Sequence, residues 1–233
     1  MQLRFASYNI RKAIGLDRRR DPDRIVSVLR EVDADVIALQ EADRRIGDRA
    51  SAIPRALLDD TDWRALPLGM RARSLGWHGN ALLVRRSIEV EEFAPLELPR
   101  LEPRGAVWAR LDTGTCRFCV VGAHLDLSGI RRRAQIRAIL AWLEQQDAET
   151  PTIVLGDFNQ WGARSGAMRE FGQRWRQVDP GMSFPSRRPI ARLDRILVTE
   201  ELGVMRAEVH RSAVASRSSD HLPVWADVML PKI

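Results

Sequence analysis

Leu3, Phe5, Ser7 and Asn9 alternate with Arg4, Ala6 and Tyr8 at the start of the chain, which predicts a first strand whose apolar face ends in an amide. Asp21-Pro22 reads as a helix N-cap followed by proline at the first helical position. Ile25, Val28, Leu29 and Val32 then recur at i, i+3, i+4 and i+7, the spacing of a helix packed on a sheet. Residues 35–41, DVIALQE, form a near-continuous apolar run of the kind found in strands buried on both faces, with Ile37, Leu39 and Glu41 on one side. Between Asp43 and Met70 the pattern gives way to charge, apart from a helix-like piece over Ala52 to Leu58 and a strand-like WRALPLGM.

Regular patterning returns with a strand over Ala81 to Val84 and another over Ile88 to Leu98 with a polar outer face. Two more, Arg104 to Leu111 and Cys116 to Leu125, are predicted to form a hairpin about Thr113-Gly114. In the second of these Phe118, Val120, Gly122 and His124 share a face. Ser128 is placed to cap a helix carrying Ile136, Ile139, Leu140 and Leu143 on one stripe. Arg131, Arg132 and Arg133 in its first turn oppose the helix dipole by a few tenths of a kcal/mol, so they are expected to face an anion. Thr152 to Asn159, TIVLGDFN, predicts a central strand. Gly156 frees the backbone to turn, and Asp157 and Asn159 project on the side of Ile153 and Leu155. A strand over Leu193 to Thr199 puts Asp194 on the core side, and the last strands, Val204 to His210 and Leu222 to Leu230, enclose Ser219-Asp220-His221. No internal repeat or heptad occurs.

A chain of 233 residues is long enough to bury a substantial core as one domain, 1–233. Its 45% apolar and 29% charged content is that of a soluble globular protein, with no apolar run near the roughly 18 residues of a membrane span. Strand alternation from Leu3 leaves no room for an apolar leader, so a cytoplasmic monomer is expected. The net charge of +6 and pI of 10.4 attract phosphates without regard to sequence. Since Lys12 and Lys232 are the only lysines among 37 basic residues, the arginine content also reflects compositional bias. Cys116 and Cys119 lie three apart on a strand, hence on opposite faces, and read as inert thiols rather than a chelating pair.

The informative feature is where the polar residues fall. Asn9, Glu41, His124, Asp157 with Asn159, Asp194, and Asp220 with His221 all stand at strand ends or entrances, where burial is costly without a partner. Singly each has an ordinary reading: a turn asparagine, a solvated terminus, a satisfied core histidine, an aspartate paired with Arg192 or Arg195. Jointly, with two of the four histidines among them, they indicate a site. A set of carboxylates, amides and imidazoles without usable cysteine suits a hard divalent cation, Mg²⁺ or Mn²⁺, and a phosphate-containing substrate. Glu41 is its best direct ligand, and no zinc motif occurs. His78 and His210 are expected on the surface or in loops.

The ordered motifs SYN (7–9), LQE (39–41), GNALL (79–83), AHL (123–125), GDFN (156–159), LDRIL (193–197) and SDHLP (219–223) resemble the endonuclease/exonuclease/phosphatase superfamily. That superfamily includes DNase I-like nucleases, neutral sphingomyelinases and inositol polyphosphate 5-phosphatases. The resemblance implies a four-layered α/β sandwich of two packed, mainly antiparallel sheets flanked by helices, with the site at one edge. It makes Glu41 the metal ligand, with Asn9 beside it and Asp220 near the ion. Asp157 would activate the attacking water, Asn159 would hold that water or a phosphate oxygen, and His221, its ring fixed by Asp194, would bind phosphate. His124 matches the DNase I, sphingomyelinase and 5-phosphatase branches and disfavours abasic-site repair. Asn80, Arg104, Trp161 and Arg192 are the substrate-binding candidates. The expected activity is metal-dependent phosphoester hydrolysis of a small or lipid head-group phosphoester. The alternatives are a DNA/RNA nuclease or an inactive binding scaffold of the same fold.

Overall fold

The computed structural model describes residues 1–99, 102, 104–147, 149–162 and 166–231. One six-stranded sheet contains β1 (Gln2–Asn9), β2 (Val36–Gln40), β3 (Trp63–Ala65), β4 (Ala81–Arg85), β11 (Gly203–Val209) and β12 (Val224–Met229), in the order β11-β12-β1-β2-β4-β3. The other contains β5 (Glu89–Leu96), β6 (Gly105–Asp112), β7 (Arg117–His124), β8 (Thr152–Asp157), β9 (Trp175–Val178) and β10 (Asp194–Thr199), in the order β5-β6-β7-β8-β10-β9. The two orders are equivalent. Each sheet has one parallel pair, β1 with β2 and β7 with β8, and is otherwise antiparallel. A parallel pair needs a long crossover, supplied by α1 (Pro22–Val32) and α3 (Gly129–Gln146) respectively.

The central strands are apolar on both faces because both are covered. Phe5, Ala38, Leu82, Phe118, Val120 and Leu155 meet between the sheets. Ile37, Leu39 and Tyr8 face outward onto Ile25, Val28 and Leu29 of α1, while Trp108, Val121 and Val154 face Ile136 and Ile139 of α3. The result is the four-layered sandwich, helix, sheet, sheet, helix. The sheets approach closely at Gly122, where a Cβ would stand 3.1 Å from the Ala38 Cβ and 3.2 Å from Leu82 Cδ2.

Asp21 caps α1 by accepting from the Arg24 amide at 3.1 Å. Ser128 occupies the α3 cap position without a side-chain cap bond. Two of the three arginines in the first turn of α3 find their oxygens within the protein: buried Arg132 donates to the carbonyls of Asp126 and Leu127, and Arg133 pairs with Glu170. The helix-like Ala52 to Leu58 becomes α2 (Arg55–Asp59), starting after Pro54. A last short helix, α4 (Ala215–Ser218), precedes β12. Cys116 lies between the sheets and Cys119 on the α3 side, and burial raises both thiol pKa values. Among the described residues no helix is long and apolar enough to cross a membrane.

Strand direction positions the site. β1, β2, β7 and β8 end at one edge of the sandwich, and β4, β6, β10 and β12 begin there. Every polar strand-end residue singled out from the sequence therefore lies at that edge.

Candidate active site

In the second sheet Arg104 stands just before β6, His124 closes β7, Asp157 closes β8 and Asp194 opens β10. The register sets Gly105 opposite His124, His124 beside Asp157, and Asp157 opposite Asp194. In the first sheet β1 lies between β12 and β2, so Asn9 is flanked by Asp220-His221 on one side and Glu41 on the other. Two contacts join the sheets at this edge. Asn9 Nδ2 donates to Asp157 Oδ2 at 2.9 Å, and His221 Nδ1 meets Asp194 Oδ2 at 2.9 Å. Ser219 Oγ donates to the Asn9 carbonyl at 2.7 Å, tying the SDH turn to the end of β1.

His221 is buried, with the Phe184 ring at 4.8 Å. Burial opposes its charge, but Asp194 and Asp157 outweigh that and raise its pKa to about 10. The imidazolium is thus the resting form. Its Nδ1–H is committed to Asp194, which also accepts from Ser183 Oγ. Its Nε2–H stands 3.7 Å from Asp157 Oδ2, beyond hydrogen-bond length. That proton is open to an incoming acceptor.

His124 is the opposite case. Burial drives its pKa down to about 3, with Asp157 opposing and Arg104 reinforcing the shift. Arg104 Nη1 donates to His124 Nε2, which fixes that nitrogen as an acceptor. The 3.4 Å approach of the same nitrogen to Asp157 Oδ2 is therefore a contact between two acceptors, made tolerable by Arg104. Two histidines on one carboxylate hold opposite charge states.

Asp157 is 2% exposed and held at both oxygens, Oδ2 by Asn9 and Oδ1 by the Asn159 amide at 3.0 Å. Asn159 Nδ2 donates to the Leu125 carbonyl at 2.9 Å. The strand alternation expected through Asn159 stops at Asp157, and Asn159 is left-handed with φ 50°. Glu41 departs from its expected face likewise. β2 ends at Gln40, and a φ of 52° turns Glu41 away from the α1 side occupied by Ile37 and Leu39.

Glu41 pairs with Lys12, and Asp220 pairs with Arg11 at 3.4 Å. Consecutive cations after β1 thus neutralise the carboxylates on either side of Asn9. Among the described residues no three His, Cys, Asp or Glu side chains converge as a ready metal cage. The donor set instead fits a Mg²⁺-like ion, which takes one or two carboxylates and completes its shell with water and substrate oxygens. Glu41 and Asp220 are the carboxylates that face cations here, and the Asn9 amide oxygen accepts from the Arg11 N–H at 3.1 Å.

A cleft opens beside Glu41 and His124, with Arg44, Arg45, Arg49 and His78 on its wall. His78 lies in a turn, as expected, and this turn borders the cleft, where Arg49 Nη1 donates to His78 Nδ1 at 3.3 Å. His210 pairs with Glu31 at 2.7 Å. Lys12, Arg44 and Arg45 were not singled out from the sequence, although the cation pair only three residues past Glu41 was a usable signal. Of the substrate-binding candidates, Arg104 is in the cleft wall, and buried Asn80 donates to the Trp77 carbonyl while its Oδ1 has no hydrogen-bond partner among the described residues. Trp161 is exposed, and Arg192 pairs with Asp179 at 2.9 Å instead of joining the cluster.

The chain is 28% identical to the uncharacterized protein YbhP of Escherichia coli (strain K12), over 95% of this chain and 94% of that protein. Its fold is that of an endonuclease/exonuclease/phosphatase structure from Bacteroides vulgatus, with TM-score 0.78 and 20% identity over 99% of this chain and 100% of that one. A mannosyl-6-phosphatase of Bacteroides thetaiotaomicron matches with TM-score 0.75 and 19% identity, over 98% and 100%. The model of the endonuclease/exonuclease/phosphatase family matches residues 6–221, from β1 to the SDH turn, and with that span the chain belongs to this family.

Proposed function

We propose that the chain is a divalent-metal-dependent phosphoester hydrolase that directs an activated water at phosphorus in line with the leaving group. The observation that carries this reading is the His221 imidazolium, locked by Asp194 and presenting Nε2–H beside a carboxylate fixed on both oxygens. Phosphoryl transfer asks mainly for a positioned nucleophile and for donors on oxygens where negative charge sits. His221 supplies the donor. Asp157, oriented by Asn9 and Asn159, takes the proton of the attacking water, and Asn159 steadies that water. Neutral His124 and Arg104 keep the second side of Asp157 dry and in place. Bound at Glu41, with Asn9 and Asp220 close by, a divalent ion would supply Lewis-acid stabilisation of the phosphate oxygens.

The wall of Arg44, Arg45, Arg49 and Arg104 favours an anionic substrate, and guanidinium forks match phosphate whatever carries it. The favoured substrate is a small or lipid head-group phosphoester. The fold likeness to a phosphatase of a sugar phosphate is in keeping with that choice. Stripping the protein with EDTA and adding back Mg²⁺ or Mn²⁺ over bis-p-nitrophenyl phosphate tests the reading. Hydrolysis should vanish and return with the ion. Turnover indifferent to chelation would refute the metal-dependent mechanism.

A further inference from the structure

The active-site edge carries an unusual concentration of bare apolar side chains. Ile46 is 90% exposed, Ile130 85%, Trp161 64%, Leu127 62% and Ile190 60%. Ile46, Leu127, Trp161 and Ile190 come from four separate loops, those after β2, β7 and β8 and the one before β10, each of which begins or ends at a residue of the catalytic cluster, and Ile130 stands in the first turn of α3, directly after the second of these loops. Among the described large apolar residues only Met205, on β11, is comparably exposed away from this edge, at 63%. Scattered exposed apolar residues are ordinary, but a collection around one mouth marks an interaction surface.

Arginine is interleaved with them. Arg44 and Arg45 adjoin Ile46, Arg131 follows Ile130, and Arg187 and Arg188 precede Ile190, all reaching solvent. The acids on these loops are already engaged: Asp43 by the Leu75 and Gly76 amides, Asp48 by Arg73, Asp126 by the Ser128 amide, Asp179 by Arg192. The edge therefore presents apolar tips within a field of net positive charge.

We propose that this edge docks on an anionic phospholipid surface, with the isoleucines, Leu127 and Trp161 entering the boundary between head groups and acyl chains and the arginines meeting lipid phosphates. The proposal rests on the phosphoester-hydrolase reading and names its substrate class, a phosphoester in a lipid head group. A bilayer is the occupant that fits. The apolar tips stand on separate loops and on the first turn of α3 rather than in one row along a single element, and duplex phosphates offer isoleucine nothing. Apolar tips ringed by arginine and capped by a tryptophan match the layered chemistry of a membrane interface. The catalytic cluster would then face the head-group layer directly.

Co-sedimentation of the full chain with vesicles tests the docking. Wild-type protein should pellet with phosphatidylcholine–phosphatidylglycerol vesicles and stay in solution with phosphatidylcholine alone. An Ile46→Ser, Ile130→Ser, Ile190→Ser triple variant should lose about tenfold in bound fraction at limiting lipid. Arg187→Ser with Arg188→Ser should weaken binding and flatten its salt dependence. Both variants should hydrolyse soluble bis-p-nitrophenyl phosphate at the wild-type rate, which shows that they are folded. Wild-type protein left in the supernatant with anionic vesicles, or a triple variant that pellets like wild type, would overturn the proposal, as would retention on duplex DNA in preference to vesicles. Failure of the soluble ester to react in the wild type would count against the hydrolase reading alone, since sedimentation decides the docking.

Discussion

Nδ1 of His221 is committed to Asp194 at 2.9 Å, and that contact leaves Nε2–H as the proton that faces the phosphate in the proposed mechanism. Because the pKa of His221 is raised to about 10 from an ordinary 6.5, its charge contributes stability that is fully present below about pH 6.5 and is lost as pH rises through 10. Activity that needs the imidazolium should follow the same limb. The kcat/KM profile of the wild type should hold through neutral pH and fall only toward pH 10, whereas Asp194→Asn should move the fall downward, toward the unperturbed histidine range. Proton NMR of the His221 ring checks the assignment, and a ring that titrates near neutrality in the wild type would contradict it. The Asp194–His221 pairing was legible only through the family resemblance that LDRIL and SDHLP carry, since strand position by itself left Asp194 equally free to pair with Arg192 or Arg195. Arg44, Arg45 and Lys12 were harder to pick out among 37 basic residues, and only the position of Arg44-Arg45 just past Glu41 set that pair apart.

At the level of elements, the strands that read clearly were those buried on both faces, where continuous apolar runs leave no other conformation. The alternation rule failed at Glu41 and Asn159 because each lies one or two residues beyond its strand with a left-handed φ, and a period of two says nothing once the backbone turns. Residues 43–70 resisted reading for a related reason. That segment forms only two short elements, and its Asp43 is satisfied by loop amides rather than by a ladder. Gly156 shows how tightly an element can set a site. A Cβ there would stand 1.8 Å from the Ala123 carbonyl oxygen, between the strands that deliver His124 and Asp157. Gly156→Ala should cost about 2 kcal/mol or more and lower kcat through displacement of Asp157, as measured by urea unfolding and steady-state kinetics. Asp21→Ala, by contrast, removes the α1 cap, a carboxylate that contacts Arg24 and no residue of the catalytic cluster. It should cost about 1 kcal/mol in urea unfolding and leave kcat unchanged.

On the scale of the whole molecule the site is the seam between two sheets of equivalent strand order, with Asp157 from one held by Asn9 of the other. The composition of that seam was readable from strand-end residues, but its closure was not, because no sequence pattern reports which sheet faces which. In the proposed mechanism the seam also separates tasks. Glu41, Asn9 and Asp220 lie on the first sheet, and Asp157, His124 and Asp194 on the second, with His221 reaching across. Glu41→Gln should accordingly raise the Mg²⁺ concentration for half-maximal activity by about tenfold or more while sparing the rate at saturation better than a change at Asp157 does. The most direct test of the account is the hydrolysis rate of bis-p-nitrophenyl phosphate at saturating Mg²⁺ for Asp157→Asn against wild type, the two matched in thermal unfolding. The geometry predicts a loss of about two orders of magnitude or more. A variant within a few-fold of wild type would mean that Asp157 is not the group that activates the water.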